Sequence, residues 1–282
     1  MAAPPAVPSR DGAWDPLVRR LAADGFEPVA LAALFSRPDV RFDPQIMARK
    51  MNAMLELKLS QTRVQSGGGG GIYLRYLNPF LLLRARGFIG DNRRALAEAR
   101  RRFGVPPEVL TALLLVETKL GSNMGDKSAL ITLASMALAG DYSLVAPLIE
   151  PRDLPPNVAM WLRWRTAQKA AWAYVELKAL LVYAYRAGFD PTTIPGSVYG
   201  AIGMCQFMPS NALRYGVDLN GDGRVDLFSP TDAALSAASF LAAHGWREGL
   251  SREQQLAVLY RYNHSHAYSR TILAVADRLR ED

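Results

Sequence analysis

Along this chain apolar residues recur at the three- and four-residue spacing of a helix and almost nowhere at the two-residue alternation of a strand. From Trp14 to about Leu34, Leu17, Val18, Leu21, Leu31, Leu34 and Phe35 alternate with charged residues and are broken at Gly25 and Pro28, which predicts short helices. A longer amphipathic helix is predicted over 43–59, with Pro44 in its first turn, where a missing N–H costs nothing. Further helices are expected at 92–103, from Pro106-Pro107 to near Gly121, and at 128–139, 159–187, 209–215, 232–244, 251–262 and 268–280. No internal repeat is visible, and the expected class is all-α, or mainly so.

Ser66 is followed by five glycines, Gly67 to Gly71, a run that neither helix nor strand can hold and that behaves as a tether. It is either a natural loop or the replacement of a longer one, and it carries no chemistry. Of 282 residues, 50% are hydrophobic and 21% charged, the balance of a globular protein with an ample core. A single cysteine, Cys205, excludes an internal disulfide and a cysteine-rich metal site. The net charge of +7 favours anionic partners, but the basic residues are dispersed and no nucleic-acid partner is expected. Only 161–172, with Trp161, Trp164, Trp172, Arg163, Arg165 and Lys169, comes near a basic aromatic patch. It reads as a core stripe with a solvated basic face; the alternative is rings that line a cleft. No apolar run is long enough to span a membrane, and no signal peptide is visible.

Leu110, Leu113, Leu114 and Glu117 fall at i, i+3, i+4 and i+7, so Glu117 lies on the apolar stripe of its helix. A carboxyl in apolar surroundings has its charged form disfavoured and stays protonated near neutral pH, the state of a general acid. The alternative is a structural glutamate paired with a distant arginine or reaching water at the helix end. Gly121, one turn later, ends the helix and lets Glu117 face a cleft.

A second informative stretch runs from Ser197 through Gly200 and Gly203 to Gln206-Phe207-Met208-Pro209. Its glycines permit close backbone approach, and Gln206 sets an amide donor and acceptor among small and apolar residues, as sugar clefts do. A packed loop is the plain alternative. A third, Asp218-x-Asn220-x-Asp222-Gly223-Arg224-x-Asp226, matches an EF-hand loop at positions 1, 3, 5, 6, 7 and 9, with Arg224 offering only its carbonyl. Position 12 is Ser229 rather than the usual Glu. A solvated Asn-Gly-Asp-Gly turn is the competing reading.

Taken together, Glu117-Thr118-x-x-Gly121, Gly200-Ala201-x-Gly203-x-x-Gln206-Phe207-Met208-Pro209 and Tyr262-Asn263-His264-Ser265 resemble, in order and spacing, the soluble lytic transglycosylase B family of murein hydrolases, glycoside hydrolase family 103. The resemblance runs from about Trp14 to Leu279. It implies a lysozyme-like helical core, here over 105–282, with C-terminal helices closing the cleft. The EF-hand-like loop lies within it at 218–232, preceded by a helical domain at 13–104 and a tail at 1–12.

The resemblance makes Glu117 the single catalytic acid and base. It assigns sugar contacts to Ser197, Gln206, Phe207, Met208, Tyr262, Asn263 and Tyr268. Lys119 and Leu120 replace the family's Arg and Trp, which bears on substrate contacts near them, and Phe240 stands where a Tyr is expected. Asp232 closes the metal loop, so the ligand set is Asp218, Asn220, Asp222, Arg224, Asp226 and Asp232, holding structural calcium or sodium, with no cofactor needed for catalysis.

The implied reaction breaks the β-1,4 bond between N-acetylmuramic acid and N-acetylglucosamine and forms 1,6-anhydromuramic acid, with the N-acetyl group assisting. A hydrolase on the same fold and a non-catalytic murein-binding scaffold are the alternatives. The expected setting is the periplasm and the expected state a monomer. Glycan strands are the expected partners, along with wall-synthesis or division proteins. His264 and His266 read as loop residues near the cleft, and Cys205 as a small buried residue.

Overall fold

The computed structural model describes residues 12–61 and 71–281. The tail at 1–11 and Gly67 to Gly70 of the glycine run lie outside the described residues. The helices are α1 (Asp15–Ala23), α2 (Pro28–Phe35), α3 (Pro44–Gln61), α4 (Pro79–Asp91), α5 (Arg93–Phe103), α6 (Pro107–Thr118) and α7 (Ala129–Leu138). They continue as α8 (Pro156–Ala187), α9 (Pro209–Tyr215), α10 (Pro230–Ala243), α11 (Arg252–Tyr262) and α12 (His266–Arg280). Among the described residues, strand is confined to β1 (Lys127–Ser128) and β2 (Pro195–Gly196), paired antiparallel. No described helix is long and apolar enough to cross a membrane.

Proline explains much of this punctuation. Eight of the helices carry proline in the first turn, at Pro16, Pro28, Pro44, Pro79, Pro107, Pro156, Pro209 and Pro230, where its fixed φ suits the helix and no amide is wasted. The expected all-α class holds, and helix ends fall within a few residues of those predicted. One helix was not anticipated. α4 is capped by the Asn78 side chain, which accepts from Phe80 N at 2.9 Å, yet Gly87 and Gly90 dilute its periodic signal.

α6 is the hub. Val109 through Val116 are all buried, with α4, α5, α10 and α12 packed around them. A helix apolar on every face must be enclosed, and this one is. Buried residues from Trp14 to Leu279 join one apolar cluster that includes both sides of Gly104.

The tryptophans of α8 meet the expectation of a core stripe only in part, with Trp161 and Trp172 packed at the edge of the core and Trp164 outside it. The buried face of the helix is Val158, Leu162, Thr166, Ala170, Ala173 and Leu177, one position out of phase with the rings. Trp164 is 56% exposed, and Trp161 and Trp172 are only partly buried. Basic side chains cover them instead: Lys58 Nζ stands 4.8 Å from the Trp161 ring centre and Lys169 Nζ 5.1 Å from that of Trp172.

Candidate active site

Glu117 lies in the last turn of α6, partly exposed, where the buried helix meets the surface. The chain leaves the helix through three consecutive residues of positive φ: Lys119 (51°), Leu120 (59°) and Gly121 (86°). Leu120 N bonds back to Leu114 O at 3.1 Å and Lys119 N to Leu115 O at 3.0 Å, closing the helix end. Thr118 holds the turn to the glycine-rich segment. Its Oγ1 donates to Met204 O at 2.9 Å and accepts from Gly121 N at 3.0 Å.

That segment is built for contact. A Cβ on Gly200 would lie 2.7 Å from the Leu133 side chain, and one on Gly203 would lie 2.5 Å from Leu227, so neither position has room for more than hydrogen. Ile202 bridges to both Gly196 and Phe207, and Met204 N donates to Leu227 O at 2.8 Å. Gln206 takes a φ of 49°. Its Nε2 is committed to Met124 O at 3.2 Å and Gly203 O at 3.0 Å, which leaves the amide oxygen as the acceptor it can offer.

Opposite Glu117 stands Tyr268 of α12, whose hydroxyl donates to Glu117 Oε1 at 2.5 Å. Tyr262 of α11 stacks 6.5 Å from the Tyr268 ring at 13° and donates its hydroxyl to Cys205 O at 2.6 Å. Burial pushes the Glu117 carboxyl up to about 7, against the downward pull of the Tyr268 hydrogen bond. Burial also holds both tyrosine hydroxyls well above their ordinary range and takes the Cys205 thiol up to about 12. Burial therefore keeps the protonated form of the carboxyl accessible near neutral pH, with neutral hydroxyls around it.

The remaining expected site residues divide. Ser197 Oγ accepts from Ala201 N at 3.0 Å and Tyr199 N at 3.3 Å, so it shapes the turn. Met208 is half-buried at the N-cap of α9, and Asn263 is exposed at the C-cap of α11. Phe207, expected at the sugar face, is only 2% exposed. Its ring packs against Tyr262, Phe240 and Tyr215 in a buried aromatic layer rather than at the surface. His264 and His266 are exposed on either side of Tyr260. Thr118 was overlooked as a contact between segments, although it directly follows the acid in sequence.

The acidic loop folds around its own amides. Asp218 accepts from Gly221 N at 2.7 Å and Gly223 N at 2.8 Å, Asn220 from Asp222 N at 3.2 Å, and Asp222 from Arg224 N at 2.8 Å. Asp226 accepts from Phe228 N at 2.8 Å. Asp232, in the first turn of α10 and 2% exposed, reaches back to Leu219 N at 3.1 Å and Asp226 N at 2.9 Å. Among the described residues no group of three or more acidic, histidine or cysteine side chains converges to hold a metal ion. The donors are nevertheless all oxygen, and the buried Asp232 has no cationic side chain bonded to it among the described residues.

Comparison with known proteins adds three findings. Residues 10–257 match the transglycosylase SLT domain. The membrane-bound lytic murein transglycosylase B of Escherichia coli is 31% identical over 220 residues, which is 75% of this chain and 53% of that protein. The chain thus spans about half the length of the curated relative it matches. Among solved structures, the Escherichia coli lytic transglycosylase SLT35 in complex with calcium superposes with a TM-score of 0.71 at 21% identity, covering 99% of this chain and 98% of that one. SltB1 of Pseudomonas aeruginosa gives 0.69 at 22% identity, covering 94% and 97%. SltB3 of the same organism, in complex with NAG-anhNAM-pentapeptide, gives 0.69 at 20% identity, covering 95% and 79%.

Proposed function

The chain belongs to the transglycosylase SLT domain family, and from that premise we propose that it is a lytic murein transglycosylase in which Glu117 serves as both acid and base. The observation that carries the reading is the Glu117 carboxyl itself: raised to about 7, bonded to one neutral hydroxyl, and acted on by burial and Tyr268 with no second carboxylate among its influences. A hydrolase of the lysozyme type places two carboxyl groups about 5–9 Å apart. One carboxyl suffices when no water is consumed.

Protonated Glu117 donates to the oxygen of the bond between N-acetylmuramic acid and N-acetylglucosamine, and the leaving sugar departs with that proton. The muramyl N-acetyl oxygen shields the cation that develops. Glu117, now ionised, takes the proton of the muramyl C6 hydroxyl as that oxygen closes on the anomeric carbon. The acid is thereby reset and the product is a 1,6-anhydro sugar. Tyr268 orients the carboxyl through its hydroxyl. Ser197, Gln206, Met208, Tyr262 and Asn263 line the cleft that seats the glycan, and Phe207 supports its floor.

Asp218, Asn220, Asp222, the Arg224 carbonyl, Asp226 and Asp232 are the proposed ligands of a structural calcium ion, which would tie the loop to α10 and neutralise the buried Asp232. The relative SLT35, solved in complex with calcium, supports this, as do the all-oxygen donors. Work on glycan strands implies a periplasmic setting.

Digestion of purified peptidoglycan followed by mass spectrometry tests the function. Anhydromuropeptides, about one water lighter than muramidase products, are expected from the wild type and not from Glu117→Gln. Hydrated products would transfer the protein to the hydrolases. Glycan binding without release by either form would make it a scaffold.

A further inference from the structure

Helix α6 ends with carbonyls that no helical amide reaches. Val116 O is one of them, because Leu120 N, which a continuing helix would give it, turns back to Leu114 O. Tyr76, in a 3-10 turn at Leu74–Leu77 and only 8% exposed, supplies the missing donor: its hydroxyl reaches Val116 O at 3.1 Å. Eight residues on, Arg84 of α4 sends Nη2 to Ser122 Oγ at 2.7 Å and Lys119 O at 3.4 Å. These bonds land on the residue before Glu117 and on the turn just after it. Non-glycine residues at positive φ are strained and persist only where their surroundings hold them. At Lys119 and Leu120, Arg84 is part of that hold.

The same short segment also grips the opposite wall. Tyr73 N donates to Thr271 Oγ1 at 2.8 Å, and Arg86 Nη2 to Arg278 O at 3.0 Å, both on α12. Buried Leu82 and Ala85 face inward on α4, which packs against α6 and α12 together. α6 carries Glu117 and α12 carries Tyr268, so one bracket joins the two helices whose side chains meet at 2.5 Å.

We propose that Tyr76 and Arg84 are positioning residues: together they hold the strained turn after α6 and set the spacing between the Glu117 carboxyl and the Tyr268 hydroxyl. The inference rests on the reading of Glu117 as the acid. The titratable groups that face Glu117 are Tyr268 from α12, Tyr262 from α11 and Cys205 from the glycine-rich segment, while Arg84 and Lys119 are the cations at the turn. A loosened bracket weakens the Tyr268 bond, the one influence that lowers the Glu117 pKa, so that pKa should rise.

The experiment combines kinetics of anhydromuropeptide release across pH with a carbon-13 NMR titration of the Glu117 carboxyl. It covers the wild type, Tyr76→Phe, Arg84→Met and Arg84→Lys. Tyr76→Phe keeps its ring and Arg84 is exposed, so both variants should fold. Each loss of a bond should lower kcat about fivefold with KM within about twofold, and shift both the alkaline limb and the carboxyl titration upward. Arg84→Lys should recover most of the rate. Unchanged kcat and titration in Tyr76→Phe and Arg84→Met, whatever happens to Tm, would overturn the bracket. An inactive wild type would remove the reading of the acid instead. The titration would still decide the bracket: an upward shift sustains it and no shift ends it.

Discussion

Glu117, partly exposed at a helix end, and Glu176, buried along α8, are glutamates with no ion pair among the described residues, yet they are built for different ends. Glu176, 5% exposed on α8, has both oxygens engaged by one residue: Ser210 N at 2.9 Å and Ser210 Oγ at 2.8 Å. It serves the first turn of α9 as a cap supplied from outside. Asp232 has both carboxyl oxygens engaged by two backbone amides, while burial pushes its carboxyl up. Glu117 has a single hydroxyl, from a tyrosine that is itself buried, and its carboxyl is carried up to about 7. Among the described residues, the number of donors sets Glu117, with one oxygen engaged, apart from Glu176 and Asp232, whose two oxygens are both engaged.

The largest expected break in this comparison is Glu117→Gln, which should cost about a thousandfold in glycan cleavage while leaving Tm at pH 8 unharmed. The sign follows from the raised pKa. Stability from the protonated carboxyl is complete below about 4.5 and is lost as pH rises through about 7, so at pH 8 the neutral amide forfeits nothing. At Asp232 the donors are expected to be joined by calcium. An excess of about a hundredfold over Kd should add about 2.7 kcal/mol, seen as a rise in Tm that Asp232→Asn abolishes. Calorimetry showing no response to calcium in the wild type would remove the metal from the account. Glu176→Ala should lower stability by about 2 kcal/mol in urea unfolding, because a buried amide loses its acceptor. The smallest effect is expected from Tyr268→Phe. It should reduce kcat about fivefold and move the alkaline limb of the pH–rate profile upward, since the bond that lowers the Glu117 pKa is gone; a downward move would reverse the assigned role.

Periodicity and proline placement made most of the helices legible, along with the position of Glu117 on an apolar face. What they could not reveal was who meets whom. Tyr268 lies 151 residues from Glu117, and nothing local in either segment specifies that bond. Size and spacing make Trp161, Trp164 and Trp172 look like the core face of α8, yet Trp161 and Trp172 lie only at its edge and Trp164 is exposed. The small residues Ala170 and Ala173 form the buried face instead, where α7 packs close. α4 gives little local signal because it follows the glycine run and holds two glycines of its own, so neither it nor the roles of Tyr76 and Arg84 are legible in sequence. The motif points to Phe207 as a ligand contact, but its ring packs into a buried aromatic layer with Phe240 and Tyr262.

The most direct test of the account is the titration of the wild-type Glu117 carboxyl by carbon-13 NMR in the ligand-free protein. A midpoint near 7, well above the ordinary 4.5, is the result the structure requires of an acid held by one hydroxyl in an apolar wall. A midpoint in the ordinary carboxylate range would contradict it and leave Glu117 as a carboxylate that only holds the fold together.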